Sequence, residues 1–208
     1  MDYLANLGAL LIVFKAARKA PWKALTAPGA LSAWWIFVIA LPLLWRFEVP
    51  VAAGVTLHLL GMPLFVLMFG AQLAIPGLAI SVAAYTAIHD GLWANLGMNL
   101  LLLAILPAYC AEAVMRITRR FFPHHIFVYL LGNGFFGAMA MLSAIGLTSL
   151  GANALWVMHA PAGGDAVAYM LLLAWGEAFL TGFLLTIFTV YRPQWVMTFD
   201  DDVYLRDG

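Results

Sequence analysis

The sequence predicts an all-α, polytopic membrane protein: one integral membrane domain over 1–208, folded as a single bundle of about seven transmembrane helices. Composition and patterning both lead there. Of the 208 residues 65% are apolar and only 10% charged, where a soluble domain carries about a quarter charged residues; mean hydropathy is +0.96. The apolar residues also collect into runs near the roughly 20 residues that a helix needs to cross a bilayer.

The first run covers about 3–20. It has no basic stretch before it and no small-residue cleavage site after it, so it reads as a retained span and not as a signal peptide. The second covers 31–47, and the third and fourth cover 53–70 and 72–89. Only Gly70 and Ala71 separate these last two, and Pro63 and Pro76 are kink points, so the pair reads as a tight hairpin or one bent segment. Counting two spans keeps the charges on consistent sides. The remaining runs are 94–118, 125–149 and 167–191. In the sixth, Gly134 and Ala138 permit close helix packing.

Charge gives the expected sidedness. With the N-terminus outside, Lys15, Arg18, Lys19 and Lys23 follow the first span, Arg116, Arg119 and Arg120 end the fifth, and Arg192 and Arg206 follow the seventh. These all fall on the cytoplasmic side, leaving Arg46 alone outside among 10 Lys and Arg residues. The expected topology is N-out, C-in, multi-pass in the cell (inner) membrane. Net charge is zero and no basic face is present, so nothing points to nucleic acid. The single cysteine, Cys110, excludes an internal disulfide and a multi-cysteine metal cluster. Trp22, Trp34, Trp45 and Trp195 stand near span ends and read as headgroup anchors toward membrane lipid.

Against this background a few polar residues stand out. The stretch GVTLHLLGMPLFVLMFG places His58 at the mouth of an apolar run, and YTAIHDGLWANLGMN closes the next run with His89 and Asp90. Each costs several kcal/mol to bury alone. Antiparallel neighbouring spans bring the three to one depth at the outer face, where the loop carrying His159 and Asp165 and the amino-terminal Asp2 also lie. Two imidazoles and a carboxylate suit a divalent transition metal, and they equally suit interfacial hydrogen bonding. Glu177 falls near the middle of the last span. It reads either as part of an inward path or as a buried hydrogen-bonding group paired with Asn, Ser or Thr of a neighbouring helix. Asn99 carries the same two readings.

Three segments resemble the cobalt and nickel substrate-binding membrane subunits of energy-coupling-factor transporters, the CbiM/NikM-like family. HLLGMPLFVLMFGAQLAIPGLAI is similar in register at His58, Gly61, Phe69 and Gly70; AIHDGLWANLGMN at His89, Gly91, Leu92, Leu96, Gly97 and Asn99; and GEAFLTGFLLTIFTVYRP at Gly176, Glu177, Thr181, Gly182, Arg192 and Pro193. The resemblance implies seven spans, an external amino terminus and a substrate-binding role in metal uptake. It also implies His58 as a ligand, with His89 and Asp90 as further ligands or as groups orienting His58. Family chains open Met-His-Ile where this one opens Met-Asp-Tyr, so Asp2 stands where the family places a nitrogen ligand. No cofactor bound covalently is expected; the ligand is the transported ion, nickel or cobalt first. The sequence has no G-x-x-x-x-G-K-[ST] nucleotide loop, so the resemblance implies an energy-coupling-factor scaffold subunit and cytoplasmic ATPases as partners. Two other classes stay open: a non-transporting membrane scaffold or metalloenzyme assembly factor, and an intramembrane metal-dependent enzyme, for which no H-E-x-x-H or G-x-S-x-G pattern is present.

Overall fold

The structure, a computed structural model, describes residues 2–52, 55–88, 91, 93–156 and 164–204, without the side chains of 2–3, 48–52, 55–58, 152–156 and 164. Helix α1 is Asp2–Lys19 and α2 is Ala30–Leu44. Two short strands follow, β1 (Glu48–Ala52) and β2 (Val55–His58). Then come α3 (Met62–Ile88), α4 (Trp93–Phe121), α5 (wide π turns over Val128–Gly137 continuing as Ala138–Trp156) and α6 (Gly164–Tyr191). Among the described residues Trp93–Phe121, Val128–Gly151 and Asp165–Tyr191 are long and apolar enough to cross a membrane, as is Met62–Ile88 when taken as one length, and Ala30–Leu44 is a shorter apolar helix. The molecule is a helical membrane bundle.

The run read as a third span, 53–70, is helical only from Met62. Before it, β1 and β2 pair antiparallel with Glu48 opposite His58 and Val49 opposite Leu57. Val49, Pro50, Val51, Val55 and Thr56 explain the extended backbone: β-branched side chains lose rotamer freedom in a helix, and proline lacks the amide a helix requires. Hydropathy alone does not separate a short apolar strand from a helix.

α3 is itself broken. Gly70 has φ 75° and ψ 160°, a region almost reserved to glycine. The two arms, 62–69 and 71–88, fold back on each other: a Cβ on Gly77 would lie 2.8 Å from Phe65 Cζ, whereas in a straight helix those residues would be about 18 Å apart along the axis. The hairpin alternative read from the sequence is therefore the one adopted. Every residue from Met62 to Phe69 is buried, as befits a helix apolar on all sides and placed at the centre of a bundle. At about 12 Å this arm is too short to cross a hydrocarbon layer of about 30 Å.

Neighbouring chain holds the arm at both ends. At its carboxyl end Met197 N–H donates to Met68 O (2.6 Å) and the Thr198 hydroxyl donates to Leu67 O. The segment after Tyr191 thus turns back into the bundle, burying Val196 and Tyr204, with Tyr129 Oη 2.6 Å from Thr198 Oγ1. Arg119 donates to Thr198 O (3.0 Å), and Trp195 Nε1 donates to Pro28 O (2.9 Å). One end of the bundle therefore gathers the 20–29 connection, Gly70, the end of α4 and the tail. At the opposite end the start of α1 docks on the start of α4. There Asn6 Nδ2 donates to Ala94 O (3.2 Å), and Asn6 Oδ1 accepts from Gly97 N–H. A Cβ on Gly97 would come 2.5 Å from Asn6 Cα, so this crossing needs glycine. At the α5 and α6 crossing Gly134 plays a similar part, with Gly182 Cα 3.4 Å from where its Cβ would be.

Candidate metal site and the clamp beneath it

Glu177 sits midway along α6 with 1% of its surface exposed. Its two carboxylate oxygens take one backbone amide each: Leu60 N–H donates to Oε2 and Gly61 N–H to Oε1, both at 2.8 Å. These amides stand at the start of the short arm of α3, where the first N–H groups of a helix lack intrahelical acceptors and the helix dipole favours negative charge. A buried carboxylate costs several kcal/mol, and hydrogen bonds to a charged group return about 1.5–3 kcal/mol each. The expected partners, Asn, Ser or Thr side chains, are not the ones used; the chain starts a helix against Glu177 and offers backbone amides instead.

The same peptide is held from the other side. Trp45 Nε1 donates to Leu60 O at 2.8 Å, and Trp45 is fully buried. Trp34 is buried too and donates to Leu73 O at 3.1 Å. Neither is a headgroup anchor: an indole buried in a bundle needs an acceptor, and both find backbone carbonyls, Leu60 just before α3 and Leu73 within it. Gly61 completes the turn at φ 63°, and a Cβ there would lie 2.8 Å from Leu41 Cδ2. A cavity of about 380 Å³ between α2 and α6 adjoins the clamp, walled by Leu41, Leu44, Leu64 and Leu184 and reaching Gly61 and Glu177.

His58 is the last residue of β2, separated from the clamped peptide only by Leu59, and its ladder partner is Glu48. Its side chain lies outside the described residues, as do His89, Asp90 and His159 entirely; Asp2 begins α1 with its side chain outside the description. Two described contacts bear on how the segments converge. Tyr85, four residues before His89 in the chain, packs edge-on against Trp45 at 5.8 Å between ring centroids, and Trp45 binds Leu60. The α1 start that carries Asp2 docks beside Ala94 and Gly97. Asn99 is half-buried in α4. Among the described residues no three of His, Cys, Asp and Glu gather as a metal site.

Sequence reasoning missed Glu48, Asn6 and the role of Trp45. The Val-rich stretches on either side of Ala53 and Gly54 are a hairpin signal that would have found Glu48. Asn6 and Trp45 leave no local mark, because each bonds to the backbone of a distant segment.

Residues 3–195 match the family profile described as cobalt uptake substrate-specific transmembrane region. The chain belongs to the CbiM family. Among solved structures, a chain described as a transition metal transporter aligns with a TM-score of 0.69 at 16% identity, covering 91% of this chain and 88% of that one; at that identity the likeness is one of fold. No curated protein matches. Membership makes this CbiM-family chain a membrane component of transition-metal uptake, a transport component and not an enzyme.

Proposed function

We propose that the chain is the substrate-binding membrane component of an energy-coupling-factor-type uptake transporter for a divalent transition-metal ion, nickel or cobalt first. His58 is the principal ligand, His89 and Asp90 share or orient the site, and Asp2 and His159 approach it from neighbouring segments. The observation that carries this reading is the short arm of α3, which starts at mid-depth against Glu177, separated by three residues from the strand that ends at His58. Discontinuous helices that begin inside a bundle are where membrane transporters hold substrate and coupling ions, since irregular backbone is tolerated there only when protein or a cavity satisfies it. Imidazole and carboxylate suit nickel and cobalt. The sequence carries no nucleotide-binding loop, so a scaffold subunit and cytoplasmic ATPases supply the energy that reopens the site inward.

Titration calorimetry with nickel and cobalt on purified protein, wild type against His58→Ala, tests this. Wild type binds one ion, and His58→Ala binds at least 100-fold more weakly. Binding falls as pH drops through the imidazole range near 6.5, because a histidine ligand must lose its proton to coordinate. A wild-type protein that binds no divalent ion would favour the scaffold or assembly-factor reading.

A further inference from the structure

We propose that Glu177 is a positioning residue for metal capture: by gripping the Leu60 and Gly61 amides it fixes where His58 is presented. This rests on reading His58 as a ligand, and it replaces an inward-path role for Glu177 with a structural link to the site.

The geometry supports the link in three ways. Each carboxylate oxygen is already engaged by an amide at 2.8 Å, so in this arrangement the carboxylate serves the backbone. Its wall is apolar, with Leu41, Leu44, Leu64 and Leu184 around the adjoining cavity, and the hydrogen bonds described for it are these two alone. Only Leu59 stands between His58 and the gripped peptide, so the histidine Cα is within about 7 Å of a fixed point. Trp45 fixes the Leu60 carbonyl, and the β1 ladder fixes His58 from the other side. A ligand held this way pays no ordering entropy when the ion arrives. Two parallel amide donors require two acceptors, which a carboxylate has. A glutamine offers one and sets its NH₂ against the second N–H. The same logic explains Gly61, which must present its amide to Glu177 from a left-handed turn.

The test compares wild type, Glu177→Gln, Glu177→Ala and Trp45→Phe in nanodiscs, with Glu177→Ala also made in a His58→Ala background. Two readouts are used: nickel titration, and hydrogen–deuterium exchange of the metal-free protein. Losing the grip speeds exchange at Leu60 and Gly61 at least tenfold while α4 and α5 exchange as in wild type. It weakens nickel binding by about 10–100-fold, the range for groups that orient a metal ligand. Trp45→Phe keeps an aromatic ring but removes the N–H that holds the Leu60 carbonyl, and gives a smaller change in the same direction, which covers the case in which Glu177→Ala does not fold. In the His58→Ala background, removing Glu177 causes no further loss. Glu177→Ala binding nickel like wild type overturns the inference and leaves the proposed function standing. A further loss in the His58→Ala background also overturns it, because Glu177 would then act on the ion independently. A wild type that binds no nickel or cobalt overturns the functional reading, and the positioning role in capture with it.

Discussion

Gly61 shows how far a single residue can be read from sequence. In the chain it is one glycine among 18, set apart only by standing three places after His58, as in the CbiM-like register. Its reason is three-dimensional: φ is 63° and Leu41 Cδ2 fills the space a Cβ would need. Gly61→Ala is expected to destabilise the purified protein by about 1–2 kcal/mol, since the methyl end of Leu41 can give way while the left-handed backbone cannot. Thermal unfolding in detergent measures it, and an unchanged midpoint would mean that the turn tolerates a side chain. Glu177 was legible as a problem, a charge in an apolar span, but not in its solution. A carboxylate that bonds to backbone amides leaves no trace in the identities of Leu60 and Gly61, so sequence pointed to side-chain partners instead. His58 was legible as chemistry, whereas Glu48 opposite it was hidden by the assumption that 53–70 is helix throughout.

At the scale of elements, long apolar runs announced themselves because every residue on them faces lipid or other helices. The broken third run did not. Apolar content stays high through 55–69 while the backbone changes from strand to coil to helix, and hydropathy is blind to that change. The turn at Gly70 was partly legible, since glycine between two apolar runs is where a hairpin can form. Gly70→Ala isolates its role, because the nearest atom a Cβ would meet is Thr198 Cγ2 at 3.8 Å, an ordinary contact. Any loss is therefore conformational, expected at about 1–3 kcal/mol, and it should appear as lower stability together with faster exchange across 66–72. A variant indistinguishable from wild type would mean that the arms do not depend on this backbone state.

At the scale of the whole molecule, the fold class and the distribution of charge were both visible in the chain. The described basic residues other than Arg46 lie at or beside the end that gathers the tail, Gly70 and the 20–29 connection. That segregation is what the positive-inside rule acts on, and it leads to the expectation that this end faces the cytoplasm. With the sole cysteine removed as Cys110→Ala, a membrane-impermeant maleimide applied to intact cells should label Ala94→Cys and spare Thr26→Cys, both exposed positions at opposite ends. The reverse pattern would place the His58 end inside and remove the basis for capture from outside. Sequence could not supply the docking of α1 on α4 or the return of the tail into the base of the bundle, because both are made by backbone atoms meeting distant partners.

The short arm of α3 also has a place in time. It is synthesised in the first third of the chain, yet its leading amides wait for Glu177 and its trailing carbonyls for Met197 and Thr198. At about 5–20 residues per second, the roughly 130 residues in between take about 6–25 s to appear. During that interval the arm carries unmatched polar backbone that a lipid environment does not tolerate. It must stay sheltered by the insertion machinery, or near water, until the last helix arrives. The segment that presents His58 is thus among the earliest made and the latest to be set.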